Sequence, residues 1–165
     1  MCEIVVNVVG TIIGGLLLAL ILFLLNEYVF TKVNLTGEWK TITKILETPH
    51  TPFKDLKIEY KIHLIQKGYE ISGSGEKVKE IFPDGRENVF LREKRILIDI
   101  DGFFERKYFG TSKVYLNINE EGRKRETRAT YILELNHENS LKGVFISTAA
   151  DASGEISMDK TWLRQ

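Results

Sequence analysis

The stretch Leu56 to Lys67, LKIEYKIHLIQK, places Ile58, Tyr60, Ile62, Leu64 and Gln66 on one side and mostly polar residues on the other. A period of two is the mark of a β-strand that buries one face. Gly68 turns the chain into a second such segment, Tyr69 to Lys79, and Thr48-Pro49-His50-Thr51-Pro52 forms a loop after a first strand from Leu35 to Leu46. Downstream, Pro83-Asp84-Gly85 is a turn in which Pro fixes φ and Gly accepts a positive one.

Further strands follow at Asn88 to Arg92 and Arg95 to Asp101, with Gly102 as a bend before Phe104 to Phe109. Lys113 to Asn119 and Arg125 to Asn136 flank Glu121-Gly122 as a hairpin. Leu141 to Ala149 and Glu155 to Leu163 are joined by Asp151-Ala152-Ser153-Gly154. Gly73-Ser74-Gly75 reads as a bend or bulge, since no helix follows it. About eight to ten short strands with no convincing soluble helix predict an all-β fold, a small antiparallel up-and-down β-barrel of about eight strands. Such a barrel has no exposed edge and has room for side chains or one small ligand.

Before the strands comes an apolar run from Ile4 to Leu25, interrupted only by Asn7 and Thr11 and free of charge. As a helix it spans roughly 30 Å, the hydrocarbon thickness of a bilayer. A cleavable signal would need a basic start and a small-residue cleavage site, and neither is present. A transmembrane anchor over residues 1–30 and a β-barrel domain over 31–165 are expected. All 23 Lys and Arg follow the run, so the positive-inside tendency puts the barrel in the cytosol, with Tyr28 and Phe30 at the interface. Gly10, Gly14 and Gly15 form a G-x-x-x-G cluster that lets two helices approach closely in lipid.

Acidic and basic residues number 23 each, which argues against a nucleic-acid coat, so no DNA or RNA duplex is expected as a partner. Cys2 is the only cysteine, which excludes an internal disulfide and cysteine-rich zinc sites. His50, His63 and His137 are scattered, no metal-binding or phosphate-cradling motif is present, and neither an enzyme nor a cofactor is expected.

Leu35-Thr36-Gly37-Glu38-Trp39 opens the first strand. An indole there plugs one barrel end, often under a cation from a late strand, which Trp162-Leu163-Arg164 would supply. Candidate ligand contacts combine planes for stacking with donors for phosphate: Trp39, Tyr60 with Lys61, Arg106 with Tyr108, Arg128 with Tyr131, and Thr148. Thr127, Thr130 and Ser147 add hydroxyls. Arg123-Lys124-Arg125 reads as a solvated hairpin tip.

Three motifs follow one another behind the anchor: Leu35-x-Gly37-x-Trp39; Ile62-x-Leu64-x-Gln66-x-Gly68-x-x-Ile71-Ser72-Gly73-x-Gly75; and Leu141-x-Gly143-x-Phe145. In this order they resemble the membrane-anchored β-barrel effectors of bacterial anti-phage cyclic-oligonucleotide signalling, the CBASS-like, SMODS-associated two-transmembrane, β-strand-rich class. The resemblance implies a cytosolic barrel that binds a cyclic di- or trinucleotide, and helices that oligomerise and disrupt the inner membrane. It carries over no catalytic residue, and this chain has one apolar span where that class has two. A membrane-tethered lipid-carrier or envelope-assembly barrel is the alternative, and it predicts a largely apolar interior.

Overall fold

The computed structural model describes residues 2–25, 33–90, 94–107, 110–121, 126–137 and 139–161. The chain divides into two units, Met1–Val33 and Asn34–Gln165. In the first, α1 (Cys2–Leu24) is one helix, and its Asn7–Leu24 stretch has a mean hydropathy of 2.4. It is long and apolar enough to cross a membrane once, and its side chains from Asn7 onward are exposed. The Thr11 hydroxyl donates to the Asn7 carbonyl at 2.9 Å, so this polar group is satisfied within the helix. Among the described residues nothing lies within 4 Å of a Cβ added at Gly10, Gly14 or Gly15, which leaves a small-residue surface open.

The second unit is built of β1 (Gly37–Glu47), β2 (Lys57–Lys67), β3 (Glu70–Ile81), β4 (Glu87–Val89), β5 (Leu97–Glu105), β6 (Lys113–Glu121), β7 (Glu126–His137), β8 (Ser140–Ser147) and β9 (Ala152–Lys160). Every pairing is antiparallel. Because β1 pairs with both β2 and β9, eight strands close into a barrel, and β4 is an extra strand on the edge of β3. The alternation read from the sequence sets the two faces. Ile62, Leu64, Ile71, Ile98, Ile100, Phe104, Leu116, Ile118, Leu133 and Ile156 are buried, whereas Lys61, His63, Ile65, Asp99 and Asp101 between them are exposed.

Two expected breaks are not breaks, and a third is displaced. Gly102 does not bend the chain: β5 runs unbroken through it, paired with Leu116 of β6, and a Cβ there would collide with the Tyr115 carbonyl. Gly73 and Gly75 likewise lie in regular pairing, where a Cβ would strike the His63 and Lys61 carbonyls of β2. These glycines let neighbouring strands approach on the inner side, which a small closed barrel needs. The turn expected at Asp151-Gly154 falls earlier, at Ala149–Asp151, and β9 begins at Ala152. The hairpin tip Arg123-Lys124-Arg125 lies outside the described residues.

One end of the barrel is sealed. Trp39 is fully buried, and its indole N–H donates to the Leu35 carbonyl at 2.9 Å. Leu35 is itself buried, its N–H donating to the Gln66 side chain at 2.8 Å, while the Gln66 N–H donates to Thr36 Oγ1. Lys160 Nζ sits 5.7 Å from the Trp39 ring and donates to the Asn34 carbonyl at 2.9 Å. Trp39 therefore has its late-strand cation, but Lys160 of β9 supplies it; Arg164 lies outside the described residues. Gly37 adopts φ +137°, and a Cβ there would press against the Lys160 side chain, so glycine is required where the lid meets its cation.

Candidate functional site

The opposite end is open. It leads into a cavity of about 540 Å³ lined by Ile45, Phe53, Leu56, Ile58, Phe90 and Ile96 together with Lys77, Glu80, Asn88, Lys94, Glu120 and Thr127. A smaller space of about 60 Å³ continues inward past Tyr60, Tyr131, Thr43 and Ser147. The interior thus changes character along its axis, from Trp39, Leu64, Leu133 and Met158 at the sealed end to charged and hydroxyl groups at the mouth.

At the centre of the mouth is Lys77, whose side chain is only 8% exposed. Its ammonium donates to Glu120 Oε1 at 2.8 Å and Glu80 Oε1 at 3.2 Å, and it faces the Phe90 and Tyr60 rings at 5.5 and 5.8 Å. A buried ammonium is tolerable only with such partners. Glu120 Oε2 accepts from the Tyr60 hydroxyl at 3.3 Å.

Burial, followed by electrostatic interaction with the Tyr131 phenol and the Glu120 carboxylate, pushes the Tyr60 phenol well above its ordinary value. Burial, then the Glu120 charge, raises Tyr131 as well. Both phenols stay neutral donors.

A β-bulge creates this arrangement. Glu59 pairs with Lys79 but Tyr60 pairs with Lys77, so Val78 is an extra residue on β3. Strict alternation would send residues 77 and 80 to opposite faces. The inserted residue resets the phase, so both line the cavity while Lys79 pairs with Glu59 and Glu87.

The loops around the mouth carry the strained backbone. Asp55, Ala150 and Asp151 are the described non-glycine residues with positive φ, at 60°, 57° and 43°. Two connections meet there: Thr48 Oγ1 donates to the Ala150 carbonyl at 2.7 Å, tying the β1–β2 loop to the β8–β9 turn. Beyond β4 the chain passes Phe90, whose N–H donates to the Val78 carbonyl at 2.9 Å.

The candidate residues named from the sequence are dispersed. Tyr60 and Tyr131 point into the barrel and line the inner space. Trp39 is part of the sealed end, away from the cavity. Lys61 is exposed on the outer wall and pairs with Glu38 at 3.4 Å. Arg106 lies just past β5, near the sealed end. Arg128 is exposed between inward-facing Thr127 and Ala129, and its backbone N–H donates to Thr148 Oγ1 at 2.9 Å, at the rim. Thr130 faces outward, against Asn117. Tyr108 lies outside the described residues.

The sequence reading missed Lys77, Glu80, Glu120, Phe90 and Lys94. Two were within reach: Glu120 continues the buried series Val114, Leu116, Ile118, and Lys77 the series Ile71, Gly73, Gly75. A charge in phase with a buried face was the signal. Among the described residues no cluster of His, Cys, Asp and Glu could hold a metal ion.

No protein-family model matches the chain, and no curated protein matches it. Among solved structures it is similar to redesigned β-barrels. One is mFAP0 bound to DFHBI, with a TM-score of 0.47 and 12% identity over 76% of this chain and 98% of that one. Another is b11L5F_LGL, with a TM-score of 0.48 and 15% identity over 78% of this chain and 92% of that one.

Proposed function

We propose that this chain is a membrane-anchored sensor-effector: its barrel takes a cyclic di- or trinucleotide at the open mouth, and its helix then self-associates and disrupts the bilayer. The observation that carries the reading is the asymmetry of the barrel, sealed by Trp39 at one end and open at the other into a cavity of about 540 Å³. That volume falls within the roughly 300–1,000 Å³ of small-ligand sites. Phe53 and Phe90 offer stacking faces, Thr127 a hydroxyl, and Lys94 a cation. Lys61 and Arg128 do not line the cavity and take no part in this version of the site.

The helix supports the second half. Its open glycine surface at Gly10, Gly14 and Gly15 suits close helix packing in lipid. The concentration of Lys and Arg after the span favours a cytosolic barrel on a bacterial inner membrane. A lipid-carrier role fits less well, because Lys77, Glu80 and Glu120 would face the acyl chain.

Calorimetry of the full chain in nanodiscs against a panel of cyclic di- and trinucleotides tests the proposal. Saturable binding of at least one member, and ligand-dependent dye release from vesicles carrying the protein, are expected. Silence across the panel overturns it.

A further inference from the structure

We infer that the outer wall of β5 to β8 is a self-association face, through which two copies of this chain dock about a two-fold axis running along the strands between β6 and β7. The inference goes beyond the function proposed above and needs no ligand. Strand pairing sets the residues side by side. Phe103, Tyr115, Ile132 and Val144 form one outward row across the four neighbouring strands. Phe103 and Val144 are exposed, and Tyr115 and Ile132 are half-buried. The next outward row along the same strands is Glu105, Lys113, Glu134 and Lys142.

The wall of β1 to β3 is covered differently. There Lys40 and Lys79 pair with Glu59, and Lys61 with Glu38, at 3.4 to 3.7 Å. A continuous apolar row on the outside of a barrel marks an interaction surface.

Two features say that the partner is a second copy. The first is charge. From β5 to β8 the polar row runs minus, plus, minus, plus. Reversed by the two-fold axis, it runs plus, minus, plus, minus. Glu105 then faces the partner's Lys142, and Lys113 faces the partner's Glu134. Within one chain Lys113 lies 3.6 Å from Glu134, and Lys142 makes no ion pair among the described residues.

The second feature is shape. Phe103 and Tyr115 stack with ring centroids 4.7 Å apart, forming a ridge on β5 and β6. Beside it, a groove of about 790 Å³ is lined by Ile132, Val144, Lys113, Glu134 and Lys142. The same axis lays Tyr115 over the partner's Ile132 and Phe103 over the partner's Val144. Each ridge enters the other copy's groove, the reciprocity that an isologous contact needs. Apolar burial supplies affinity, and the charged row fixes the register.

Sedimentation equilibrium of the full chain in density-matched detergent tests the inference, with the wild-type helix and with Gly14→Leu. A dimer is expected with both. Lys113→Glu alone sets a carboxylate against the partner's Glu134, and Glu134→Lys alone sets an ammonium against the partner's Lys113. Each should raise the dimer Kd at least about tenfold. An equimolar mixture of the two variants restores every opposite-charge pair between copies, but not the pair within either chain. Mixing should therefore recover tight dimers, and that recovery also shows both variants to be folded. An unchanged Kd in the single variants, or no recovery on mixing, overturns the inference. Dimers lost with Gly14→Leu assign association to the helix alone, which overturns it and leaves the function above standing. A monomeric wild type also overturns it and leaves this wall to a lipid surface or another protein.

Discussion

Lys77 holds two carboxylates together inside a barrel, and the phenols beside them make the site sensitive to alkali. The Tyr60 and Tyr131 phenols ionise at higher pH in the folded protein than in the unfolded chain, where they titrate near about 10. A raised folded value stabilises the fold below the unfolded value, and that contribution is lost as pH rises through and beyond about 10. Unfolding free energy should accordingly fall above about pH 10, and Tyr131→Phe should flatten part of that decline in denaturant titrations. Thr41 shows the opposite kind of residue effect. Its hydroxyl is fully buried with no partner among the described residues, so Thr41→Val should stabilise the barrel by roughly 1 kcal/mol. A destabilised variant would show that the hydroxyl is satisfied in solution.

Among the elements, the strands depend on glycines where they close the wall. Gly102→Val would drive a side chain into the Tyr115 carbonyl and part β5 from β6, at a cost of about 3 kcal/mol or more, read as a lowered urea midpoint. Glycine in the helix has a different role, because α1 is intact with no neighbour at Gly14 among the described residues. Gly14→Leu should leave the helix and ligand binding by the barrel unchanged while reducing cross-linked oligomers in vesicles; undiminished cross-linking would make the glycine surface incidental. The strand pattern was legible because one face is buried at a period of two, as in Ile58, Tyr60, Ile62 and Leu64. The bulge at Val78 was not, since an extra residue in one strand shows only against the strand it pairs with.

For the whole molecule, a barrel sealed at one end and open at the other should couple ligand binding to stability. A ligand that binds only the folded barrel raises its stability by about 2.7 kcal/mol at a hundredfold excess over Kd, so the thermal midpoint should climb with the logarithm of ligand concentration. Glu80→Gln removes one of the two carboxylates that balance the buried Lys77 ammonium and should lower the midpoint of the free protein. The apolar helix is expected to contribute nothing to this shift, because the barrel has its own buried core.

The sequence by itself determined a single apolar span, an antiparallel barrel of about eight strands and a tryptophan lid, because hydrophobic period, run length and turn residues are local properties written along the chain. It also placed Tyr60 and Tyr131 among the candidates. Tertiary structure alone decided which charges meet. Lys77 on β3 and Glu120 on β6 are far apart in sequence, and Lys77 shares an inner face with Glu80 only through the bulge. Likewise, Lys160 reaches the Trp39 ring because the β1–β9 register puts the two opposite one another. Register between strands is a property of pairs, and no single strand encodes it alone.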